Sequence, residues 1–437
     1  MGLAGIERWF GIRSAGSTWG REVLAGLTTF FTVSYIIVVN PQILAAAGIP
    51  VGPSLVATAL TAAFGTLAMG LFARRPFAVA PYMGENAFIA YTVVGALGFS
   101  WQVALGGIFW AGVLFVILTL TGWRRWLADS IPMGLKCAFA VGIGLFLVFL
   151  GLIEAGFVKL GVEGAPVHAG NLREPTVWLA ALGFFLIIIL QIRKVPAALI
   201  LGILAIAGIG FLARLQPPPK SLVSVPPDLS PIFLQLDFFA PWQPAFLSIL
   251  FTIFILDFLD TVGTLYGLGH KAGILDREGR FPEVEKPMMC DAAATVTASL
   301  LGTTTSGVYI ESASGIGAGG RTGMVAVVCG LLFLVALFFV PLVEAIPAFA
   351  YAPVLVVVGF TMTTAIKHIA LDDLTELVPA MLTVALMCFT FNIGIGITAG
   401  LASYPVVKVA GGRGREVNAG TWILAALSVI FFALYPW

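Results

Sequence analysis

The sequence predicts an all-α polytopic membrane protein with fourteen transmembrane segments, arranged as two inverted repeats of seven segments. Three observations predict this fold. Hydrophobic residues make up 59% of the 437, charged residues only 10%, and the mean hydropathy is +1.02, which excludes an ordinary soluble domain. Apolar stretches of spanning length recur along the chain. The lysines and arginines between them alternate in density.

A spanning helix needs about 20 apolar residues, and charged or Pro/Gly-rich breaks divide the sequence into stretches near that length, some of them short or interrupted. The first half contains seven, at residues 23–45, 55–73, 80–97, 102–121, 132–156, 176–191 and 195–213. The second half contains seven more, at 244–268, 288–303, 305–319, 324–343, 353–367, 376–392 and 394–410. A further apolar stretch, 422–434, has no counterpart, and its length leaves open whether it spans the membrane or lies in the interface.

The distribution of basic residues supports this division, because loops on the cytoplasmic side of a membrane carry the excess of Lys and Arg. With the N-terminus inside, four of the 23 basic residues fall on the outer side: Lys159, Arg173, Arg214 and Lys220. An extra or missing helix in the middle of the chain would scramble this distribution. Because seven is odd, the two halves enter the membrane from opposite sides, which predicts inverted repeats.

The remaining stretches predict the domain organisation. Residues 214–243 contain PPPK and VPPDLSP, too rich in proline for a helix. The N-terminal residues lack the apolar core of a cleaved signal peptide and are typical of a short amphipathic helix at the membrane surface. The predicted parts are an N-terminal cytoplasmic or interfacial segment (1–22), a first repeat (23–213), an extracytoplasmic linker (214–243), a second repeat (244–410) and a C-terminal tail with a short apolar segment (411–437).

Composition also excludes several classes of function. The net charge of +1 provides no field for nucleic acid, and no basic run with interleaved aromatic residues occurs. Four cysteines lie in or beside apolar segments without C-x-x-C spacing: Cys137, Cys290, Cys329 and Cys388. This pattern predicts neither a disulfide framework nor a metal site.

Two acids in the stretch ILDFLDTVGTLYG are the clearest functional signal. Asp257 and Asp260 follow an unbroken apolar run, which places them in the middle of a spanning helix. A carboxylate at that depth costs about 2.5 to 3.5 kcal/mol on insertion scales, and such residues are functional by default. Three residues apart, the two share one helix face and can both point into a polar cavity. The structural alternative is an ion pair or hydrogen bond inside the helix bundle.

The third segment of each half is interrupted, which is the best sequence indication of a transporter's binding site. PFAVAPYMGENAFIAY changes from extended to helical character at Glu85 and Asn86, and GTTTSGVYIESASGIGAGG changes at Glu311. Both breaks would bring helix N-termini and carboxylates toward the membrane centre. The structural alternative is that these residues cap their own helices, since acids and asparagine are favoured at helix starts.

Four stretches in this order carry a family resemblance: TTFFTVSYIIVVNPQIL, GENAFIAYTVVG, DFLDTVGTL and YIESASGIGAGGRTG. The chain resembles the nucleobase:cation symporter-2 family, in its AzgA-like branch of adenine, guanine and hypoxanthine permeases. The resemblance implies that each repeat divides into a core part (23–121 and 244–343) and a gate part (132–213 and 353–410). It also implies that substrate sits in the core, between the interrupted segments and the eighth segment, and that the core moves against the gate like an elevator.

The resemblance also implies roles for particular residues. Asp257 and Glu311 match the acids that bind the base in this family, and Asn86 matches an asparagine implicated in purine binding. Asp260 is expected to act in proton coupling or positioning, together with Asp257. Glu85 is grouped with the substrate-binding residues, but it departs from the family pattern, which often has an apolar residue there, and its role stays open. Tyr82, where glycine is common, is a second departure that narrows the expected site.

The functional expectation is uptake of purine nucleobases by symport. A carboxyl group can match the N–H donors and ring-nitrogen acceptors of a purine edge, and burial beside another acid favours the protonated form, so Asp257 and Asp260 can share a proton. The expected coupling ion is H⁺, with Na⁺ as the alternative, and no cofactor is implied. The expected location is the cell (inner) membrane with the N-terminus cytoplasmic, as a homodimer through the gate domain. The sequence does not identify the preferred base.

Other functions remain as alternatives. A uracil or xanthine transporter, or a sulfate- or bicarbonate-type anion transporter of the same fold, is the nearest, but an anion site favours cations, and both interrupted segments carry glutamates. A membrane-embedded aspartyl protease also buries two acids, yet its Gly-x-Gly-Asp motif does not occur. A channel predicts flux without accumulation. The protein is therefore expected not to be an enzyme.

Overall fold

The computed structural model describes residues 3–162, 165–219, 221–276 and 281–435. Three basic residues that enter the charge distribution, Lys220, Arg277 and Arg280, lie outside these ranges. The α-helices are, in order, α1 (Leu3–Phe10), α2 (Trp19–Val33), α3 (Ile36–Ala45), α4 (Val51–Leu71), α5 (Met83–Ala87), α6 (Trp101–Thr121), α7 (Trp123–Ser130), α8 (Met133–Glu154), α9 (Pro175–Ile192), α10 (Ala198–Leu212), α11 (Pro244–Ala272), α12 (Glu285–Leu301), α13 (Ser312–Gly317), α14 (Met324–Ala336), α15 (Val340–Glu344), α16 (Ala348–Thr363), α17 (Leu374–Phe389), α18 (Ile393–Ala410) and α19 (Ala419–Leu434). The strands are β1 (Val79–Pro81), β2 (Val158–Val162), β3 (Ala165–Ala169) and β4 (Ser306–Val308).

This is a polytopic helical membrane protein. Within the described residues, nine helices are long and apolar enough to cross a membrane, and three shorter apolar helices accompany them (α10, α17 and α19). Helix boundaries fall within a few residues of the predicted apolar stretches, because long apolar runs bounded by charge or proline are the strongest sequence signal. The stretch without a counterpart forms α19, a helix of 16 residues.

Two elements were not predicted. The stretch between α8 and α9 contains an antiparallel hairpin of β2 and β3. Alternate apolar residues Val158, Leu160 and Val162 carry the period of two that is typical of a strand, so the signal was present. The short helix α7 follows α6 directly, after Gly122 turns the chain with a φ of +76°, a conformation that favours glycine.

The two interrupted segments meet in a small antiparallel sheet. Strand β1 pairs with β4, with Val79 opposite Val308, Ala80 opposite Gly307 and Pro81 opposite Ser306. After β1 the chain continues as α5 and then as a π-helix over Phe88–Ala96. After β4 it turns through Glu311 into α13, which has only six residues. The predicted change from extended to helical structure is present in both segments, but the second half-helix is too short to contribute a large dipole.

Threonines on neighbouring helices satisfy the outer edges of this sheet, as backbone groups in a membrane interior require. Thr66 of α4 both accepts from the Val79 N–H (2.9 Å) and donates to its carbonyl oxygen (2.9 Å). Thr295 of α12 accepts from the Ser306 N–H (3.3 Å) and donates to its carbonyl oxygen (2.9 Å). The same arrangement therefore occurs once in each half of the chain.

The helices pack in two groups, one formed by α2 to α6 with α11 to α15 and the other by α8 to α10 with α16 to α18. Glycines set the close approach within the second group. Gly144 of α8 faces Gly359 of α16, and a Cβ at position 144 would lie 2.6 Å from the Gly359 carbonyl oxygen. Small residues at such contacts allow helix backbones to approach closely in a membrane. The β1–β4 sheet and the acids of α11 belong to the first group.

Candidate functional site

Helix α11 places the two predicted acids in its middle. Asp257 is the fourteenth of its 29 residues and is fully buried. The single proton of the Thr295 hydroxyl of α12 is shared between the Ser306 carbonyl oxygen (2.9 Å) and Asp257 Oδ2 (3.2 Å). Asp260 lies almost one turn further along and is partly exposed. Asp257 is therefore hydrogen-bonded inside the helix bundle, as the structural alternative predicts. Asp260 is not fully enclosed and borders an accessible space.

Glu311 lies at the start of α13 but does not cap it. No side-chain capping bond is formed at this helix start, so the capping interpretation does not account for the residue. Its Oε1 instead accepts a hydrogen bond from the Tyr35 hydroxyl at 2.7 Å. Tyr35 is buried at the break between α2 and α3. The glutamate is therefore oriented by a tyrosine that precedes it by 276 residues in the chain.

Asn86 belongs to a buried network of polar side chains that joins the two halves. Its Nδ2 donates to Asn40 Oδ1, and its Oδ1 accepts from the Thr304 hydroxyl. Asn40 Nδ2 in turn donates to the hydroxyls of Thr58 (2.7 Å) and Thr303 (2.9 Å). An amide has two N–H donors and two lone pairs on its oxygen, so each Asn86 group retains capacity for one more bond. The role of Asn86 at a bound base stays a prediction.

This network predicts a loss of stability when Asn40 is removed. Asn40→Ala leaves the Asn86 amide and two threonine hydroxyls without a partner that they now have, and a buried polar group left unsatisfied costs about 1–3 kcal/mol. We expect a clearly lower thermal unfolding midpoint of the purified protein in detergent. The matched control is Asn171→Ala in an exposed loop, which should leave the midpoint nearly unchanged. Equal midpoints for the two variants would contradict a structural role for the network.

Glu85 lies on α5, beside Asn86, in different surroundings. Its side chain is 4% exposed, and within the described part of the chain neither carboxyl oxygen has a hydrogen-bond partner. The charges that act on it are those of Asp257, Asp260 and Asp291. Glu85 therefore lies near the acids of α11. It forms no side-chain capping bond at the start of α5, so the capping interpretation does not account for it.

Asp291 is a functional candidate that the sequence reasoning missed. It lies on α12, fully buried, and its Oδ2 accepts a hydrogen bond from the Thr261 hydroxyl of α11 at 2.8 Å. The signal was available, because Asp291 interrupts the apolar stretch 288–303 just as Asp257 interrupts its own. Tyr35 and Asn40 were also missed, although both lie in the stretch TTFFTVSYIIVVNPQIL. Their partners are distant in sequence, so only the fold identifies their roles.

Tyrosine rings fill the space between the interrupted segments. Tyr82 stacks on Tyr309 with centroids 6.0 Å apart and planes at 14°. The Tyr82 ring lies directly against Gly307, where a Cβ would have no room, and its hydroxyl lies 3.3 Å from the Thr261 hydroxyl. Tyr309 donates a hydrogen bond from its hydroxyl to the Pro81 carbonyl oxygen. Two aromatic rings therefore lie beside the part of α11 that carries the acids.

The structure thus brings together five carboxyl groups, which we call the acid cluster: Glu85, Asp257, Asp260, Asp291 and Glu311. Asp260 interacts with the charges of Glu311 and Asp291, and Glu85 with those of Asp257, Asp260 and Asp291. In the described ranges no group of three His, Cys, Asp or Glu side chains is placed to hold a metal ion. Such a cluster favours a ligand that offers hydrogen-bond donors rather than an anion.

An apolar groove of about 340 Å³ lies elsewhere, between α6 and α11 near Trp110, Trp242 and Phe254. None of the acid cluster lines it. We therefore place the candidate site at the acid cluster and the stacked tyrosines, where the polar chemistry lies.

Comparison with known proteins gives a consistent result. A family model described as "Permease family" matches residues 20–403. The adenine permease AdeP of Escherichia coli (strain K12) is 40% identical, over 97% of this chain and 95% of its own. The guanine/hypoxanthine permease PbuG of Bacillus subtilis (strain 168) is 36% identical, over 98% of this chain and 99% of its own. Among solved structures, the transmembrane domain of the cyanobacterial bicarbonate transporter BicA matches with a TM-score of 0.64 and 17% identity, covering 87% of this chain and 97% of that domain.

Proposed function

This chain belongs to the permease family, as a member of the nucleobase:cation symporter-2 group, and we propose that it takes up purine nucleobases of the adenine, guanine and hypoxanthine class. It is a multi-pass membrane transporter and not an enzyme. Relatives at 36–40% identity over nearly the whole chain carry adenine or guanine/hypoxanthine in their names. The single observation that carries the proposal is the acid cluster between the two interrupted segments.

The geometry of the cluster suits a purine. Asp257 and Glu311 approach from α11 and from the second interrupted segment, and each already has one oxygen oriented by a hydroxyl donor, Thr295 and Tyr35 respectively. Purine bases offer N–H donors on both of their edges, and a carboxylate accepts two such bonds. The stacked rings of Tyr82 and Tyr309 supply an apolar face for a planar heterocycle. Asn86 and Glu85 complete the proposed set of binding residues.

The anion alternative fails on electrostatics. The likeness to BicA concerns the fold alone, and one fold serves many functions. Bicarbonate or sulfate at the acid cluster would meet like charges, whose repulsion disfavours binding. The charges that act on Glu85 are all negative. A neutral base that donates hydrogen bonds avoids this repulsion. We therefore do not assign anion transport to this site.

The proposed architecture comprises fourteen segments in two inverted repeats (23–213 and 244–410). Two correspondences between the halves support it: Thr66 at β1 matches Thr295 at β4, and Gly144 matches Gly359. The first helix group corresponds to a core (23–121 and 244–343), and the second to a gate (132–213 and 353–410). In this proposal the N-terminus is cytoplasmic, the protein resides in the inner membrane, and two copies associate through their gates.

The proposed mechanism is proton symport by an elevator-like movement. Protonation of the acid cluster, with Asp257 and Asp260 as coupling residues, prepares the base site, and the loaded core carries both inward, so that proton and base raise each other's affinity. Movement of the core requires its contacts with the gate to break. Tyr91 donates a hydrogen bond to Glu154 (2.8 Å), and Thr92 donates one to the Phe391 carbonyl oxygen (2.9 Å). Both bonds join the first interrupted segment to the gate, one at α8 and one at the turn between α17 and α18.

Uptake into proteoliposomes tests the function. With an inward proton gradient, we expect adenine, guanine or hypoxanthine to accumulate above its external concentration, because downhill proton entry drives the base. A protonophore should abolish this accumulation. Accumulation that survives the protonophore but requires external Na⁺ would show that the coupling ion is Na⁺ and not H⁺. Flux that never exceeds equilibrium would instead indicate a channel, and absence of binding in a panel of bases would reject the assignment.

A further inference from the structure

Glu85 is the member of the acid cluster that combines burial with the absence, in the described part of the chain, of any donor to stabilise its charge. Asp257, Asp291 and Glu311 each accept a hydrogen bond from a hydroxyl, at 3.2, 2.8 and 2.7 Å. Asp260 is partly exposed. Glu85 is 4% exposed, and in the described part of the chain no donor reaches either of its oxygens. Hydrogen bonds to the charged form stabilise it, and burial without them favours the neutral acid.

The groups around Glu85 strengthen this difference. Helix α11 contributes Asp257 and Asp260, and α12 contributes Asp291, all negative when ionised. Helix α3 has no charged residue. On α8, Ile143 contacts the adjacent Gly84, and the charged residues of α8, Lys136 and Glu154, lie seven and eleven residues away along the helix. At a rise of about 1.5 Å per residue, that is about 10 Å or more. Among the residues that the structure describes, no neighbouring cation therefore offsets a charge on Glu85.

We propose that Glu85 is the residue that carries the coupled proton. This inference rests on the proposed function and deepens it, because it assigns to Glu85 the proton that the mechanism otherwise divides between Asp257 and Asp260. The free carboxylate takes a proton from the outer solution and becomes a neutral acid with one O–H donor. That donor can pair with an acceptor atom of the base, while the carboxylate of Asp257 accepts from a donor atom. Release of the base on the inner side allows the proton to leave.

Proton uptake on binding separates this assignment from its alternatives. At a pH high enough for Glu85 to be ionised in the unliganded protein, calorimetry in buffers of different ionisation enthalpy should show that wild type takes up protons as a purine base binds. Its affinity for the base should weaken as the pH rises, by up to about tenfold per pH unit, which is the limit for one linked proton. Glu85→Gln keeps a donor and an acceptor but cannot titrate, so its proton uptake and pH dependence should be lost. Glu174→Gln, which makes the same chemical change at an exposed position outside the helices, should retain both.

Different results would reject the assignment of the proton to Glu85 and the proposed transport of purine bases. Proton uptake that persists in Glu85→Gln would overturn the assignment while leaving proton-coupled transport intact. Wild type that binds a base without proton uptake would remove the proton coupling itself and the assignment with it. Wild type that binds no base would reject the proposed function.

A second measurement needs no variant at Glu85 and so does not depend on its folding. Infrared difference spectra of wild type, with and without base, should show a protonated carboxyl band whose frequency shifts in protein labelled with ¹³C-carboxyl glutamate. A band that does not shift places the proton on an aspartate, such as Asp257 or Asp260, and overturns the proposal.

Discussion

Asp257→Asn should weaken purine binding by about 10- to 100-fold, because hydrogen bonds to a charged group contribute about 1.5–3 kcal/mol and every 1.4 kcal/mol is tenfold. The carboxylate of Asp257 offers two acceptor oxygens. Asparagine retains one and replaces the other by an NH₂ group, which faces the N–H of the base with a second donor. The bond from Thr295 can be kept by the remaining oxygen, so the protein should stay folded.

Calorimetric titration of purified protein with adenine, guanine and hypoxanthine measures this effect. The thermal unfolding midpoint of the unliganded variant serves as the check on folding. The matched control is Asp372→Asn, which makes the same chemical change at an exposed loop position and should bind like wild type. An affinity of Asp257→Asn within threefold of wild type would remove Asp257 from direct contact with the base.

Glu311→Gln should weaken purine binding by a similar factor. The structure also identifies a milder change at the same contact, Tyr35→Phe. Glu311 accepts a hydrogen bond from Tyr35 at 2.7 Å, which orients the carboxylate that would meet the base. Tyr35→Phe removes only the hydroxyl, so we expect a smaller loss, about 2- to 10-fold, as for a typical hydrogen bond of about 0.5–1.5 kcal/mol. Glu311→Gln removes the charge and should again cost about 10- to 100-fold.

A double variant of Tyr35 and Glu311 tests whether the two residues act through the same contact. In the double variant, the Tyr35→Phe change should cost less than it does alone, because the two residues act through one contact. Glu174→Gln, at an exposed position outside the helices, is the matched control and should leave affinity unchanged. Additive losses in the double variant would show that Tyr35 acts independently of Glu311.

The sequence predicted the helical elements well and also the position of two acids in the middle of a long helix, for a physical reason. Long apolar runs and acids inside them are local signals, and the cost of a buried charge makes Asp257 and Asp260 conspicuous. Asp291 is likewise an acid inside an apolar stretch, 288–303, and is an equally local signal. The hairpin of β2 and β3 was missed because its alternation is short and lies outside the apolar stretches.

The partners of the acids could not be predicted, because they depend on the packing of distant segments. Nothing near Glu311 in the chain indicates that Tyr35 donates to it, or that Asn40 and Thr304 occupy the amide of Asn86. The capping interpretations were locally sound, since the residue types suit helix starts, yet neither Glu85 nor Glu311 caps a helix. In the described part of the chain no donor reaches Glu85, whereas Asp257, Asp291 and Glu311 each accept a bond from a hydroxyl. This difference likewise appears only in three dimensions.

The pairing of β1 with β4 has a consequence for biosynthesis. Val79 and Val308 are roughly 230 residues apart in the chain, and a ribosome adds about 5–20 residues per second. The first strand therefore emerges about 10 to 50 s before its partner exists. During that interval its peptide groups cannot remain in lipid unpaired, so those that later pair with β4 need other partners, in protein or in water, until β4 is made. The permease is completed only when its second half arrives.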